Sequence, residues 1–455
     1  MWRRILASGV AVAVTALGWA PPALALDGIR TPRNPSYKVT LSSDASGTLW
    51  TGHASVSFTN LSVDPLGDVN LRLWGNARGR CPAAATAASA MPVTVSHVTG
   101  GTAGPLTVRC TSLRIILAKR LRRGQSASIG YDLQIRVPAG AGRFGREGPY
   151  NFLGNALPVL AVRDGAGWHR EPYTHVGQPF YTVSGDFTVT LDHPASLLVP
   201  ATGTAVDAPG SAGRTVTTVT AANVRDFAWA AGPFSLLRGI SATGVTVNVY
   251  GTSAATAKRA GSMSAVAGSA MAANVQFGAY PYGEIDVVLD NRFPVTGGHP
   301  GVAYPGIVFS RADTGSLVQA VARQWWYGIV GDDEYDSPWL DEAFAAYATD
   351  LYFKRTGAGC WRKVAWASRV EKVTNSMAYW DAHPSRYATV VSAYGSCALH
   401  DLRRKLGSDK MRNLLRVYAG AHWYKVTTTA EFKAHAQSVS PAYLSAFWRA
   451  HRIPG

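Results

Sequence analysis

The sequence predicts a multidomain fold in which an all-β part precedes an α+β part. Residues 36–234 consist of short alternating runs, such as 54–58 and 187–191, that are broken by Gly, Pro, Asn and Asp. This spacing is typical of an antiparallel β-sandwich. With 455 residues, 47% of them hydrophobic, the chain is long enough for two or three domains with sizeable cores. We therefore expect an N-terminal antiparallel β-sandwich-like domain over residues 26–240.

After residue 240 the apolar residues recur with the helical period. Residues 254–275 are rich in Ala, and a further helical stretch covers about residues 391–406. Two amphipathic helices are indicated by apolar residues that share one helical face: Val318, Val321, Ala322 and Trp325, then Leu340, Phe344, Tyr347 and Leu351. The second domain, residues 241–455, is therefore expected to be mainly helical, with a small sheet that starts near residues 245–249.

Residues 1–25 have the three-part pattern of a secretory signal peptide. A basic start at Arg3 and Arg4 precedes the apolar run 5–20, and a small-x-small cleavage site ends at Ala25. A membrane anchor is the alternative, but a Pro pair interrupts the run before the cleavage site. No other stretch has the ~20 apolar residues that span a bilayer. We expect a mature chain that is secreted and has no stable membrane anchor.

The positive charge of the chain is spread rather than concentrated. The formal net charge is +16, and 16% of the residues are charged. Once the signal peptide is removed, the remaining charge divides evenly between residues 26–237 and 238–455. Nucleic-acid-binding arms and polybasic membrane patches concentrate their charge. The sequence therefore predicts no nucleic-acid partner, and only weak, salt-sensitive adsorption to anionic polymers of the cell envelope.

Four cysteines, an even number in a chain that is expected to be exported, predict two disulfides. Two cysteines fall in each half, and the simplest pairing joins Cys81 to Cys110 and Cys360 to Cys397. Ligation of a metal by thiolates is the alternative, but the sequence has no C-x-x-C spacing. Disulfides are therefore favoured.

Six separated segments carry a further signal. They read NALPV at 155–159, VRDFAW at 224–229, YPY at 280–282, GVAYP at 301–305, VARQWWYGIVG at 321–331 and WLDEAFAAY at 339–347. In this order they resemble the M1 aminopeptidases, the gluzincin group of zinc metallopeptidases. The resemblance covers about residues 36–450 and corresponds to a short two-domain form of that family. It implies that the second domain is thermolysin-like.

The resemblance also implies a set of functional positions. In the family, two histidines at i and i+4 on one helical face bind zinc, and a glutamate between them is the general base that activates water. A glutamate on the following helix is the third ligand. A downstream tyrosine stabilises the oxyanion, and a glutamate of the exopeptidase signature binds the free amino group of the substrate.

At the corresponding positions of this sequence, most of these functional residues are replaced. The two histidine positions hold Gln319 and Arg323, and the position of the general base holds Ala320. The exopeptidase glutamate falls on Ala303, with Tyr304 beside it as a further substrate-binding position. No catalytic residue is therefore intact in this part of the motif.

One ligand position is retained, because the third-ligand glutamate corresponds to Glu342. The catalytic tyrosine falls on Ser392, and Tyr394 lies two residues away, where only a local shift would let it substitute. No two histidines stand at i and i+4, and the closest pair, His169 and His175, is six residues apart. A zinc site needs about three protein ligands, so the sequence predicts no metal site and no cofactor.

Arg323 predicts a specific contact. A guanidinium at the position of the metal would exclude zinc by its fixed positive charge. Glu342, if it is buried, needs a partner, because an unpaired buried carboxylate is unfavourable. We therefore expect an ion pair between Arg323 and Glu342, and the alternative is that both side chains turn to solvent.

A short acidic loop is a weaker candidate. Asp332, Asp333, Glu334 and Asp336 could receive a peptide amine or a calcium ion. The loop lacks the D-x-[DN]-x-[DN]-G calcium pattern, so an exposed loop without a ligand is the expectation.

Two functions remain open on these grounds. The first is an exported peptidase homologue that has lost zinc binding and catalysis and keeps a cleft for a peptide or protein ligand. The second is a zinc metallo-aminopeptidase that removes N-terminal residues from peptides with ligands outside the motif. A fold does not determine chemistry, and the replaced site residues favour the first function.

Overall fold

The computed structural model describes residues 30–79, 81, 91–294 and 301–454. The predicted signal peptide, residues 1–25, lies outside the described residues. Within these ranges, no helix is both long and apolar enough to cross a membrane.

The first part of the chain is built from strands. They are β1 (Arg33–Ser43), β2 (Leu49–Thr59), β3 (Leu66–Arg72), β4 (Val93–Thr99), β5 (Gly101–Thr107), β6 (Ser112–Leu121), β7 (Ser126–Arg136), β8 (Phe144–Glu147), β9 (Tyr150–Leu153), β10 (Val159–Leu160), β11 (Arg163–Asp164), β12 (Gly167–Trp168), β13 (Gly185–Pro194), β14 (Thr204–Pro209), β15 (Arg214–Val224) and β16 (Trp229–Ala231). This is the strand-rich N-terminal part that the sequence predicts.

Two of its sheets face each other across one core. A seven-stranded sheet has the order β14, β15, β13, β1, β2, β7, β4, and a four-stranded sheet has the order β10, β3, β6, β5. The core between them combines Trp50 and Val56 of the first sheet with Val69 and Ile115 of the second, and all four are fully buried. Side chains alternate between the core and solvent along each strand, which is why the sequence shows period-two runs.

The prediction of a purely antiparallel domain is wrong at one pair of strands. β1 and β13 run parallel, with Tyr37 opposite Phe187 and the two rings stacked at 4.4 Å between centroids. Parallel neighbours need a long connection, and the chain from β2 to β12 provides it. Short alternating runs do not reveal the relative direction of strands that are distant in sequence.

The second part combines a small sheet with helices. Its strands are β17 (Ser235–Ile240), β18 (Thr246–Gly251), β19 (Glu284–Leu289), β20 (Gly301–Tyr304), β21 (Ile307–Ser310), β22 (Gly331–Asp332) and β23 (Val426–Thr427). Its helices are α1 (Ala254–Asn274), α2 (Thr314–Ala322), α3 (Trp339–Tyr352), α4 (Met377–Ala382), α5 (Gly395–Leu406), α6 (Ser408–Ala421), α7 (Thr429–Val439) and α8 (Ser445–Ala450). A π-helical segment, Ala388–Tyr394, leads into α5.

The five-stranded sheet has the order β17, β18, β19, β21, β20, with parallel pairs in its centre and antiparallel pairs at both edges. β17, which ends at the predicted domain boundary of residue 240, pairs with β18 of the second part. The boundary itself stays a prediction. The mainly helical character of the second part agrees with the periodicity of the sequence.

Helix α2 is shorter than its periodicity predicts. It ends at Ala322, and Trp325, which the pattern placed on the same helix, lies in the following turn. The indole nitrogen of Trp325 donates to the carbonyl of Gly278 at 2.9 Å, and the amide of Gly328 donates to the carbonyl of Arg323 at 3.0 Å. These bonds stabilise the turn in place of another helical turn.

Buried polar contacts join the two parts of the chain next to this turn. Arg225 follows β15, and its Nη2 donates to the carbonyl of Asp332 at 2.7 Å. The hydroxyl of Tyr327 donates to Asp226 at 2.6 Å. Arg225 and Asp226 are both 2% exposed, so the join is shielded from water. It holds the loop after α2 against the N-terminal part.

Both predicted disulfides are confirmed. Cys81 is bonded to Cys110, and Cys360 is bonded to Cys397. The second disulfide joins the segment after α3 to α5, so it covalently links two parts of the helical region around the candidate site.

Candidate functional site

Helices α2 and α3 bring the motif residues together. The carboxylate of Asp313 caps α2 by accepting from the amide of Ser316 at 2.9 Å. At the other end, Arg323 follows the helix directly, with its amide bonded to the carbonyl of Gln319 at 3.1 Å. Glu342 lies in the first turn of α3, where the partial positive charge of a helix N-terminus stabilises a carboxylate. Arg323 and Glu342 therefore meet between the two helices.

The predicted ion pair between Arg323 and Glu342 is present. Nη2 of Arg323 contacts Oε1 of Glu342 and donates to Oδ2 of Asp341 at 3.0 Å. Ser392 donates to the second oxygen of Glu342 at 3.0 Å, and the hydroxyl of Tyr387 lies 3.4 Å from the first. Both oxygens of Glu342 are thus engaged, and the alternative in which the pair turns to solvent is wrong.

The residues at this position do not fit a zinc ion. The two positions that would supply imidazoles present the amide of Gln319 and the guanidinium of Arg323, and a guanidinium has no lone pair to donate. The remaining carboxylate, Glu342, is already bonded to Arg323, Ser392 and Tyr387. Ala320, at the position of the base, brings no ionisable group. A catalytic zinc needs three protein ligands and a structural zinc needs four, and this set offers one that is occupied.

Behind the ion pair lies a buried acidic cluster, formed by Asp332, Glu334 and Asp341. Their exposures are only 1%, 1% and 2%, so the expectation of an exposed acidic loop is wrong for Asp332 and Glu334. The loop is buried because Arg225 bonds its backbone and because β22 pairs with β23. Asp336 alone agrees with the expectation, since it is exposed.

Burial controls the protonation of this cluster. It raises the pKa of Asp332 and of Glu334 well above the ordinary values, although Arg225 opposes the shift. It also raises the pKa of Asp341 to about 7, against the stabilising charge of Arg323. The carboxylates of Asp332 and Glu334 accept no hydrogen bond from the described residues. Nη1 of Arg225 lies 3.5 Å from Oδ1 of Asp332, so Arg225 and protons together balance much of their charge near neutral pH.

The π-helical segment determines which side chains near Ser392 face Glu342. Ser392, on which the motif places the catalytic tyrosine position, donates to Glu342 at 3.0 Å. Tyr394 points away, because its hydroxyl accepts from the amide of Ala365 at 3.0 Å and lies 3.2 Å from the carbonyl of the same residue. Tyr387 is the tyrosine that reaches Glu342, and it precedes the segment. No sequence motif singled out Tyr387.

Ala303 and Tyr304 separate in the structure. Ala303 is fully buried and lines a pocket beside Glu342. Tyr304 is also fully buried, and its hydroxyl donates to Asn155 at 2.8 Å. A Cβ atom at Gly154 would lie 2.2 Å from that hydroxyl, so a glycine is required there. The role of Tyr304 in substrate binding stays a prediction.

The pocket beside the ion pair is small. Its walls include Arg143, Ala303, Gln319, Arg323 and Glu342. Its volume of about 30 Å³ has room for about two water molecules. A whole amino acid does not fit inside without movement of the walls, whereas a small terminal group does.

A second group of possible ligands lies outside this pocket. One ligand atom each from His169, Asp333 and Asp336 come within 4.8 Å of one another. His169 also lies 2.9 Å from Asp164 through Nε2 and 3.0 Å from Glu171 through Nδ1. Sequence reasoning missed the group, because it combines a histidine of the β-rich part with a loop far along the chain.

The proton on His169 competes with a metal. Burial opposes the charged imidazolium, but Glu171, Asp164 and Asp333 together raise the pKa of His169 to about 9. At neutral pH the ring is thus an imidazolium surrounded by carboxylates, and a metal would have to displace its proton. His175, the other histidine that the sequence singled out, pairs with Asp381 instead, at 3.3 Å.

Comparison with known proteins gives the fold. No protein-family model matches the chain, and no curated protein matches it in sequence. Among solved structures, an M1 zinc metallopeptidase from Deinococcus radiodurans matches with a TM-score of 0.65 and 17% identity over 94% of each chain. A glutamate-to-alanine mutant from the same organism, bound to a Tyr-Ser-Ala substrate, matches with a TM-score of 0.61 and 17% identity over 93% of this chain and 95% of that one.

A third structure, a two-domain M1 zinc metallopeptidase mutant bound to L-tryptophan, matches with a TM-score of 0.62 and 17% identity over 93% of this chain and 95% of that one. The described chain therefore has the two-domain M1 fold, and the resemblance noted in the sequence is confirmed at the level of the fold. At such low identity, similarity of the fold does not extend to the chemistry of the site.

Proposed function

We propose that this protein is an exported, non-catalytic homologue of the two-domain M1 metallopeptidases that keeps a cleft for a peptide or protein ligand. The observation that carries the proposal is the contact of Arg323 with Glu342 and Asp341. It places a guanidinium against the single ligand position that the motif retains.

Three features of the site support the loss of catalysis. A cation already neutralises Glu342, and a zinc ion beside Arg323 would meet like charge at close range. The position of the general base is Ala320, so no group there can take a proton from water. Tyr394, the possible substitute for the oxyanion-stabilising tyrosine, bonds to the backbone of Ala365 instead.

The case for a retained cleft rests on position. The pocket beside Glu342 lies between α2 and the edge strand β20, and its walls include Ala303 and Gln319. Solved proteins of the same fold hold L-tryptophan or a Tyr-Ser-Ala substrate. We extend to this chain only the general class of ligand, a peptide or a protein segment. No nucleic-acid partner belongs to the proposal.

Export is supported by the two disulfides, since such bonds persist in oxidising compartments. The signal-peptide pattern of residues 1–25 points the same way. Weak adsorption to anionic polymers of the cell envelope remains part of the proposal, and loss of that adsorption at high salt is its expected signature.

A second candidate function is favoured by one observation. His169, Asp333 and Asp336 offer three ligand atoms within 4.8 Å, which is the number that a catalytic zinc requires. Under this alternative the protein is a zinc metallo-aminopeptidase with ligands outside the motif. The described residues that line the pocket include none of these three, so the metal would act away from Glu342.

One experiment separates the two functions. The mature chain is purified without added metal, and its zinc content and its turnover of aminoacyl-naphthylamide substrates are measured with and without a chelator. The first function predicts less than a tenth of an equivalent of zinc and no chelator-sensitive turnover. Stoichiometric zinc with turnover that the chelator abolishes would overturn it. In that case, loss of both zinc and turnover in His169→Gln would assign the metal to the second site.

A further inference from the structure

The pocket beside the ion pair carries an unbalanced positive charge. Its described walls contain three charged side chains, Arg143, Arg323 and Glu342. Arg323 is neutralised by Glu342 and Asp341, and the oxygens of Glu342 are occupied by Arg323, Tyr387 and Ser392. Arg143 forms no salt bridge with any residue that the structure describes. The net charge that faces the cavity is therefore that of the Arg143 guanidinium.

Arg143 is held in place by weak contacts. Its Nη1 donates to Oε1 of Gln178 at 3.3 Å, and its Nη2 lies 3.5 Å from the carbonyl of Gly177, distances at the outer limit of hydrogen bonding. The guanidinium stacks over the ring of Phe180 with 5.0 Å to the centroid. Both hydrogen-bond acceptors are neutral, and the charges of Glu334 and Asp226 act on the guanidinium only from beyond salt-bridge distance, so the side chain is oriented while no described carboxylate is bonded to it.

A second donor in the pocket wall also lacks an acceptor. The amide nitrogen Nε2 of Gln319 is buried, and it makes no hydrogen bond with the described residues. The residue is 6% exposed. A buried donor without an acceptor destabilises the protein, and a bound acceptor removes that penalty. Any acceptor would satisfy the amide of Gln319, and an anionic acceptor would also pair with the guanidinium of Arg143.

The size of the cavity limits which chemical group of a ligand can enter it. A volume of about 30 Å³ holds about two water-sized atoms, which matches the two oxygens of a carboxylate. Arg143, Gly177 and Gly301 are half-buried, whereas Ala303, Gln319 and Arg323 are buried, so the opening lies on the side that Arg143 shares with the two glycines. A carboxylate can enter there while the rest of its molecule stays outside.

We propose that this pocket binds a carboxylate group, with Arg143 as its bidentate partner and the amide of Gln319 as a further donor. The proposal rests on the proposed function, because it assigns a ligand class to the cleft of a non-catalytic protein. Planar guanidinium and carboxylate groups match in geometry, so the pair is specific as well as attractive. The carboxylate belongs either to a peptide C-terminus or to a small free acid.

The test compares ligands that differ only in this group. N-acetyl-trialanine with a free carboxylate, the same peptide with a C-terminal amide, and acetate are titrated into the mature chain by isothermal calorimetry at low salt. We expect the acid to bind at least about tenfold more tightly than the amide. Arg143→Gln should reduce this ratio to about one, and Arg143→Lys should keep part of it. Arg146→Gln, the same change at an exposed arginine three residues away, is the matched control and should keep the full ratio.

Each outcome has one meaning. Tighter binding of the acid that depends on Arg143 supports the proposal, and acetate as a competitor equal to the peptide identifies a small acid as the source. Equal binding of acid and amide, or binding of neither, overturns the carboxylate pocket and leaves the non-catalytic proposal standing. Zinc-dependent turnover would remove the non-catalytic proposal and leave the measured preference for the acid unchanged. Thermal unfolding midpoints of the variants verify that each is folded.

Discussion

Replacement of Arg323 by Met tests the role of the ion pair most directly. The substitution leaves Glu342 and Asp341 buried without their cation, and removal of one partner from a buried pair destabilises by about 3–5 kcal/mol. At pH 8 the loss of unfolding free energy should lie near the lower end of this range, at about 3 kcal/mol. Ser392 still donates to Glu342, and the raised pKa of Asp341 lets that group take up a proton. At pH 5 the loss should be smaller, since more of the acidic groups are protonated.

The assay is urea denaturation of the mature chain, followed by tryptophan fluorescence at both pH values. Arg412→Met is the matched control, because Arg412 pairs with Asp409 on the surface and such pairs contribute about 1 kcal/mol or less. The double variant Arg323→Met/Glu342→Gln should recover part of the lost stability, since the uncompensated charge is then absent. An Arg323→Met variant within about 1 kcal/mol of the wild type at pH 8, or one whose loss is unchanged in the Glu342→Gln background, would refute the buried-pair account.

Three further outcomes are expected. The triple variant Gln319→His, Ala320→Glu, Arg323→His should bind about one zinc per chain by metal analysis, because the amide of residue 323 still bonds the carbonyl of residue 319 and keeps the two imidazoles on one face. A zinc content as low as that of the wild type would contradict this. His169→Gln should destabilise the protein by up to about 3 kcal/mol below pH 6.5, and this loss should shrink as the pH rises through about 9, because folding raises the pKa of His169 to about 9 and the ring loses its stabilising charge above it. A loss in urea denaturation that is independent of pH would argue against stabilisation of His169 by Glu171, Asp164 and Asp333. Asp341→Asn should gain stability relative to the wild type as the pH rises from about 4 to about 7, with a plateau above, because folding raises the pKa of Asp341 to about 7 and so penalises its ionised form. An equal difference in unfolding free energy between variant and wild type at pH 4 and pH 8 would contradict this.

The sequence predicts those features of the site that depend on local spacing. The order of the two helices and the separation of Arg323 from Glu342 follow from the motif. Each of these depends on a helical period or on the register of two neighbouring helices. The burial of Trp325 is also expected, although the pattern assigns it to a helix that ends three residues earlier.

Features that depend on distant parts of the chain are not visible in the sequence. An acidic loop is typically exposed, but this loop is buried because Arg225 of the N-terminal part bonds the backbone of Asp332 and because β22 pairs with β23, a strand far along the chain. The π-helical segment changes which side chains face α3, so Tyr387 reaches Glu342 while Tyr394 turns away. Spacing alone does not reveal an extra residue in a helical turn.

The charges around Glu342 explain why a single arginine is sufficient at this position. A zinc ion brings two positive charges to the site, and Arg323 brings one. The difference leaves the neighbouring carboxylates Asp332, Glu334 and Asp341 with one fewer compensating charge. Burial raises the pKa of each of them, so protons supply the missing compensation together with Arg225, which lies 3.5 Å from Asp332. The same reasoning predicts that the contribution of the cluster to stability falls as the pH rises through about 7, because folding raises the pKa of Asp341 to about 7 and the cluster then gains negative charge that Arg225 and Arg323 must balance.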